Sequence, residues 1–234
     1  MKSRNINLAK CATILVLNVA AMMAHEMVFA DDWAPFWSTT TLSVPRDGVA
    51  AASANGKILF AGGNASSGYS NVVDIYDTAS ATWSTTTLPH AGGDLVATSA
   101  GGKVFFTGGD NESNSYVDIY DTTNGLWSTA TLTVARGYSA ATSANGKAFI
   151  GGGMSVGAGT VNTVDIFDTG TGTWSPTTTL SQGRFFLSAA SAGSEAFFAG
   201  GNYSTNGYLD TVDIYDAANN NAHTTTTLSQ ARYA

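Results

Sequence analysis

VVDIYDTASATWSTTTL, residues 72–88, decides the fold, because the chain writes it four times. It returns as YVDIYDTTNGLWSTATL (116–132), TVDIFDTGTGTWSPTTTL (163–180) and TVDIYDAANNNAHTTTTL (211–228). Self-similarity at a near-constant period marks a repeat architecture, in which each unit buries its apolar face against the next. Ahead of each copy lies a segment of small residues, then a short apolar run, then a Gly pair. The pairs are Gly62-Gly63, Gly108-Gly109, Gly152-Gly153 and Gly200-Gly201.

Each unit reads as four strands. Strand a (49–54, 95–100, 139–144, 187–192) is mostly Ala, Ser and Thr. That suits an innermost strand, where backbones crowd and large side chains would collide. Strand b (58–61, 104–107, 148–150, 196–199) is apolar, and the Gly pair closes it where the chain bends through positive φ. In strand c (72–76, 116–120, 164–167, 212–215), alternation points Val73 and Ile75 one way and Asp74 and Tyr76 the other. Strand d is the Thr-rich stretch ending at Leu88, Leu132, Leu180 and Leu228, an outer edge by composition. Asp77, Asp121, Asp168 and Asp216 are placed to hold the c–d turn by bonding the backbone two residues on. Trp83, Trp127 and Trp174 are expected to pack between units.

This unit resembles the kelch repeat. The Gly doublet after an apolar strand, the Tyr/Phe-Asp pair ending the next, the Trp six residues on and the Arg opening most units (Arg46, Arg136, Arg184, Arg232) carry the resemblance. It covers about residues 33–234. It implies an all-β propeller of four-stranded antiparallel blades, with repeats at about 46–88, 92–132, 136–180 and 184–228 and a partial fifth. Two positions break the pattern: Gly92 replaces the Arg in the second unit, and His223 replaces the Trp in the fourth, making that outer strand degenerate. Trp33–Leu42 reads as a strand d without its own blade, which in kelch propellers closes the ring. Two readings follow: a truncated five- to seven-bladed protein, which is favoured, or a four-bladed closure, within the ~4–8 blades that propellers use. An open array would expose edges and invite self-association.

Residues 1–30 differ from the rest. Lys2, Arg4 and Lys10 precede the apolar run Cys11–Ala24, and Val28-Phe29-Ala30 offers small residues for cleavage before Asp31. This is the pattern of a secretory signal. The rival, a retained anchor, is disfavoured because the run is shorter than the ~20 residues a bilayer needs. The expected mature chain, 31–234, is therefore secreted, with no stable membrane insertion. Cys11 is the only cysteine, so cleavage would leave no disulfide. The formal net charge is −7, and losing the leader makes the chain more acidic still. That argues against nucleic acid as a partner. Asn64, Asn111 and Asn202 open N-glycosylation sequons.

The b–c loops (64–72, 110–116, 154–163, 202–211) vary while the strands repeat, as in a binding face built on a scaffold. Candidate contacts are Tyr69, Tyr116, Tyr203 and Tyr208, with Arg46, Arg136 and Arg184 brought to the same face by the d–a loops. The arginines also have a structural reading, favoured because they recur at one repeat position. Asp74, Asp118, Asp165 and Asp213 lie one per blade and are read as structural partners rather than calcium ligands. No cofactor or metal site is expected. The copper site of propellers such as galactose oxidase needs a Tyr–Cys link, and the mature chain lacks Cys and keeps only His90 and His223. The sequence thus favours a non-catalytic module binding protein or glycan. The alternatives are a non-copper hydrolase or lyase on that face, or an inactive fragment of a larger surface protein.

Overall fold

The computed structural model describes residues 39–175, 177–203 and 207–233. The chain divides into two units, 1–41 and 42–234. The expected signal, 1–30, and most of the expected closing strand lie outside the described residues; Thr39–Leu42, its described end, is not in a strand.

Unit 42–234 consists of propeller blades, each an antiparallel sheet laid out in chain order. Blade 1 is β1 (Ala50–Ala54), β2 (Lys57–Ala61), β5 (Val72–Asp77) and β6 (Thr82–Thr87), with a small ladder, β3 (Asn64–Ala65) and β4 (Gly68–Tyr69), in its b–c loop. Blade 2 is β7 (Leu95–Ala100), β8 (Lys103–Gly108), β9 (Tyr116–Asp121) and β10 (Leu126–Thr131). Blade 3 is β11 (Ala140–Ala144), β12 (Lys147–Gly151), β15 (Thr163–Asp168) and a split outer strand, β16 (Thr173–Trp174) and β17 (Thr178–Thr179); its b–c loop pairs β13 (Met154–Ser155) with β14 (Gly159–Thr160). Blade 4 is β18 (Ser188–Ala192), β19 (Glu195–Ala199), β20 (Thr211–Asp216) and β21 (Ala222–Thr227). No helix among the described residues is long and apolar enough to cross a membrane.

Turn chemistry sets these boundaries. The a–b hairpins turn on Asn55-Gly56 (φ 48° and 73°) and Asn145-Gly146 (46° and 73°), the two consecutive positive φ values of a tight hairpin turn that matches strand twist. At the c–d turns, Asp77 Oδ1 accepts from the Ala79 and Ser80 amides, and Asp121, Asp168 and Asp216 do the same for their own turns. The outer strands depart from expectation. β21 forms a full six-residue ladder despite His223, whose ring stacks on Tyr215 at 4.7 Å just where Trp83 meets Tyr76 in blade 1. The third outer strand is the interrupted one, between Trp174 and Thr178. The sequence there contains Pro176, which has no N–H to give a ladder.

Successive blades pack through unlike faces. Leu59, Val73 and Ile75 of blade 1 meet Val104, Phe106, Tyr120 and Trp127 of blade 2. Phe105, Val117 and Ile119 of blade 2 meet Ile150, Phe167 and Trp174 of blade 3. Phe149, Val164 and Ile166 of blade 3 meet Phe198 and Tyr215 of blade 4. Polar bonds cross the same seams: Trp127 Nε1 donates to Thr86 Oγ1, and the Tyr215 hydroxyl to the Thr179 carbonyl. The small-residue strands β1, β7, β11 and β18 line up as neighbours in that order, so strand a is innermost. Among the described residues, β18 and β1 do not pack against each other in the same way.

The Gly pairs sit where loops cross. A Cβ on Gly62 would lie 2.6 Å from the Gly92 carbonyl of the next blade, and one on Gly63 would lie 2.3 Å from the Asp47 carbonyl of its own. Gly152 and Gly153 repeat this against Arg184 and Gly137. The doublet therefore lets three backbone segments meet at the junctions that follow blades 1 and 3.

Candidate binding site at the loop face

The b–c and d–a loops meet on one face. Asp47 bridges Asn64, Gly137 bridges Met154 and Phe185 bridges Asn202, at one repeat position in blades 1, 3 and 4. Each d–a loop must then turn into strand a, and it does so through a left-handed residue two places beyond the Arg position. These residues are Gly48 (φ 58°), Asp94 (50°), Tyr138 (53°) and Phe186 (52°). A bulky side chain in this region is a backbone outlier that costs of order 1–3 kcal/mol, and such outliers gather at functional sites. Backbone bonds fix them in place: the Asp94 amide donates to the Gly48 carbonyl, Tyr138 to Gly109, and Phe186 to Tyr138.

Three of these four residues converge on a cavity of about 570 Å³, lined by Asp94, Val96, Asp110, Tyr138, Ser139, Phe186 and Leu187. Tyr138 and Phe186 lie 4.9 Å apart, tilted by 56°. The aromatic surface continues outward from Phe186 to Tyr233 (6.5 Å) and on to Tyr208, stacked on Tyr233 at 4.9 Å. Tyr69 reaches the cavity rim, where its hydroxyl donates to Asp110 Oδ2 at 2.9 Å. That bond, reinforced by the Asp110 charge, holds the Tyr69 hydroxyl above its ordinary pKa. Burial, and then Asp110, Glu112 and Asp94, raise Tyr138 as well.

The sequence-named residues scatter around this cavity. Tyr69 joins it, and Tyr208 lies at the far end of the aromatic strip. Tyr203 is exposed with no ring partner among the described residues, and Tyr116 stacks on His90 at 3.8 Å, outside the cavity. Arg46, Arg136 and Arg184 are not on the face: their side chains are 0 % exposed inside the blades. Each pairs with the strand-c carboxylate of its own blade, Asp74, Asp165 or Asp213, at 2.6–2.7 Å. Each also donates to a strand-b carbonyl, that of Phe60, Ile150 or Phe198. In blade 2, where Gly92 replaces the Arg, His90 takes over; its Nδ1 lies 2.8 Å from Asp118 Oδ1 and its amide donates to Oδ2. Burial works against the Asp74 charge, yet bonds from Ser43 and Arg46 outweigh it and hold that carboxyl below its ordinary pKa. Of the sequons, Asn111 is exposed while Asn64 is half-buried in β3; the third runs into Ser204, outside the described residues. Among the described residues no group of His, Cys, Asp or Glu is placed to hold a metal.

Two stretches, 45–87 and 135–181, match the family model for the Kelch motif. Both stretches are similar to the kelch repeat. The matched kelch stretches are blades 1 and 3, the two that keep both the Arg and the Trp; blades 2 and 4 lack one each. No curated protein matches the chain. Asp94, Tyr138 and Phe186 escaped the sequence reading. Their signal was a fixed kelch position, two beyond the Arg, that changes from Gly to Asp to Tyr to Phe while its neighbours repeat.

Proposed function

We propose that this chain is an exported, non-catalytic kelch module that binds a protein partner through the mouth of its loop face. The kelch-like stretches support a protein-interaction module, and the leader-like residues 1–30 support export. One observation carries the reading: left-handed Tyr138 and Phe186, which the fold does not need, open a cavity large enough for a side chain. Blade 1 makes the same turn with Gly48, so the turn itself does not require the two rings.

The test is panning a random peptide display library against the folded chain, Phe186→Gly, and Thr123→Ala in an exposed c–d turn. Enrichment lost with Phe186→Gly and kept with Thr123→Ala is expected. Enrichment indifferent to Phe186 contradicts the proposal. The stacked, half-exposed Tyr208–Tyr233 pair favours a glycan as the second reading, since flat aromatic surface takes sugar rings. A glycan array distinguishes it, and product release from a bound polysaccharide would indicate the hydrolase or lyase alternative.

A further inference from the structure

We infer that the mouth cavity is a receptor for a cationic side chain, an arginine or lysine presented by the bound partner; this rests on the mouth being the binding face. The cavity combines two carboxylates, two aromatic rings and a buried hydroxyl: Asp94, Asp110, Tyr138, Phe186 and Ser139. Neither carboxylate has a cationic partner among the described residues, whose ion pairs all lie elsewhere. Among the described residues, Asp94 accepts no side-chain hydrogen bond, and Asp110 accepts one, from Tyr69, on Oδ2. The described lysines and arginines are occupied away from the cavity. Lys57 and Lys103 hold the c–d turn acids Asp77 and Asp121, and Lys147 bonds the Ala217 carbonyl. Three arginines are enclosed in their blades, and Arg232 bonds the Gln230 carbonyl.

A second, independent feature points the same way. Ser139, only 6 % exposed, is a lining residue of the cavity, and its hydroxyl has no partner among the described residues. A buried polar atom without a partner is costly, and a donor group that reached the Ser139 hydroxyl would satisfy it. The tilted Tyr138 and Phe186 rings offer faces to a cation within reach of the carboxylates. A guanidinium suits this set best, since its planar fork can bond a carboxylate while its face lies on a ring. The same carboxylates raise the neighbouring hydroxyls: Asp110, through its bond and charge, at Tyr69, and, after burial, Asp110, Glu112 and Asp94 at Tyr138.

Isothermal titration of the whole chain with end-blocked Gly-Arg-Gly, and with its citrulline and norleucine counterparts, tests the assignment. Citrulline keeps the shape and hydrogen bonds of arginine and removes the charge. Binding by the arginine peptide is expected, with the citrulline peptide weaker by about tenfold or more. Asp94→Asn and Asp110→Asn should each weaken the arginine peptide alone. Asn tolerates the left-handed backbone at position 94, so the fold survives, as circular dichroism would check. Equal binding of arginine and citrulline peptides, or no loss in either variant, overturns the inference. If panned peptides depend on Phe186 yet require no cation, the mouth remains the binding face and only the ligand class falls.

Discussion

Two residues beyond each repeat's Arg position, the backbone is left-handed whatever the side chain, from Gly48 to Asp94, Tyr138 and Phe186. The geometry belongs to the repeat, while the side chain is free to vary. Phe186 is 39 % exposed, so its ring adds little to the core. Gly there removes the backbone cost. Phe186→Gly is therefore expected to leave stability unchanged or raise it by up to about 1 kcal/mol, while abolishing mouth-dependent binding. Urea denaturation of both proteins checks this; a loss of several kcal/mol would mean the ring is structural. The arginines show the opposite economy. Arg136 has no exposed side-chain surface, and burial pushes its guanidinium pKa down even as Asp165 opposes the shift. Its partner lies 29 residues away in sequence, so a loop position that read as surface belongs inside the blade.

The strands were legible to within about a residue at each end, because the signals that stop them are local. Asn-Gly turns a hairpin, and the Asp after strand c caps its turn. The breaks were harder. His223 in place of Trp suggested a weak fourth outer strand, but imidazole is flat enough to stack on Tyr215, and its Nε2 meets Asp213 at 2.6 Å. The cavity was not legible, since it forms from loops of blades 2, 3 and 4 whose meeting depends on the packing between blades. One element-scale prediction concerns the c–d turn of blade 1. Lys57, and then the Ser80 and Ala79 amides, lower the Asp77 pKa to about 2 from its ordinary 3.8. A depressed carboxylate pKa contributes stability above the unfolded value that is lost as pH falls through the folded one. The acid limb of stability between about pH 4 and pH 2 should therefore flatten in Asp77→Asn. Thermal melts across that range test it, and an unchanged slope would contradict the assignment.

Across the whole array, each blade offers mainly aliphatic residues to the next, with one Phe from blades 2 and 3, and offers its larger aromatic residues to the one before. Inside, that pairing is tight: Phe106 and Tyr120 are 2 % and 7 % exposed. At blade 1 the aromatic face meets nothing comparable among the described residues; Phe60 and Tyr76 are half-buried and Trp83 is 39 % exposed. Trp127→Ala, which empties a seam between blades, is expected to cost about 3–5 kcal/mol. Trp83→Ala should cost well under half of that in dilute solution. Equal costs by chemical denaturation would show that the blade 1 face is covered, by self-association or by another part of the protein.

Arginines are enclosed within the blades, and acids and aromatic rings are left open to a cationic side chain at the mouth. A crystal structure of the chain with end-blocked Gly-Arg-Gly tests it most directly. The predicted result is the peptide guanidinium beside Tyr138 and Phe186, bonded to Asp94 or Asp110. Peptide bound instead at the c–d turns around Asp77 and Asp121, with the mouth empty, would contradict it.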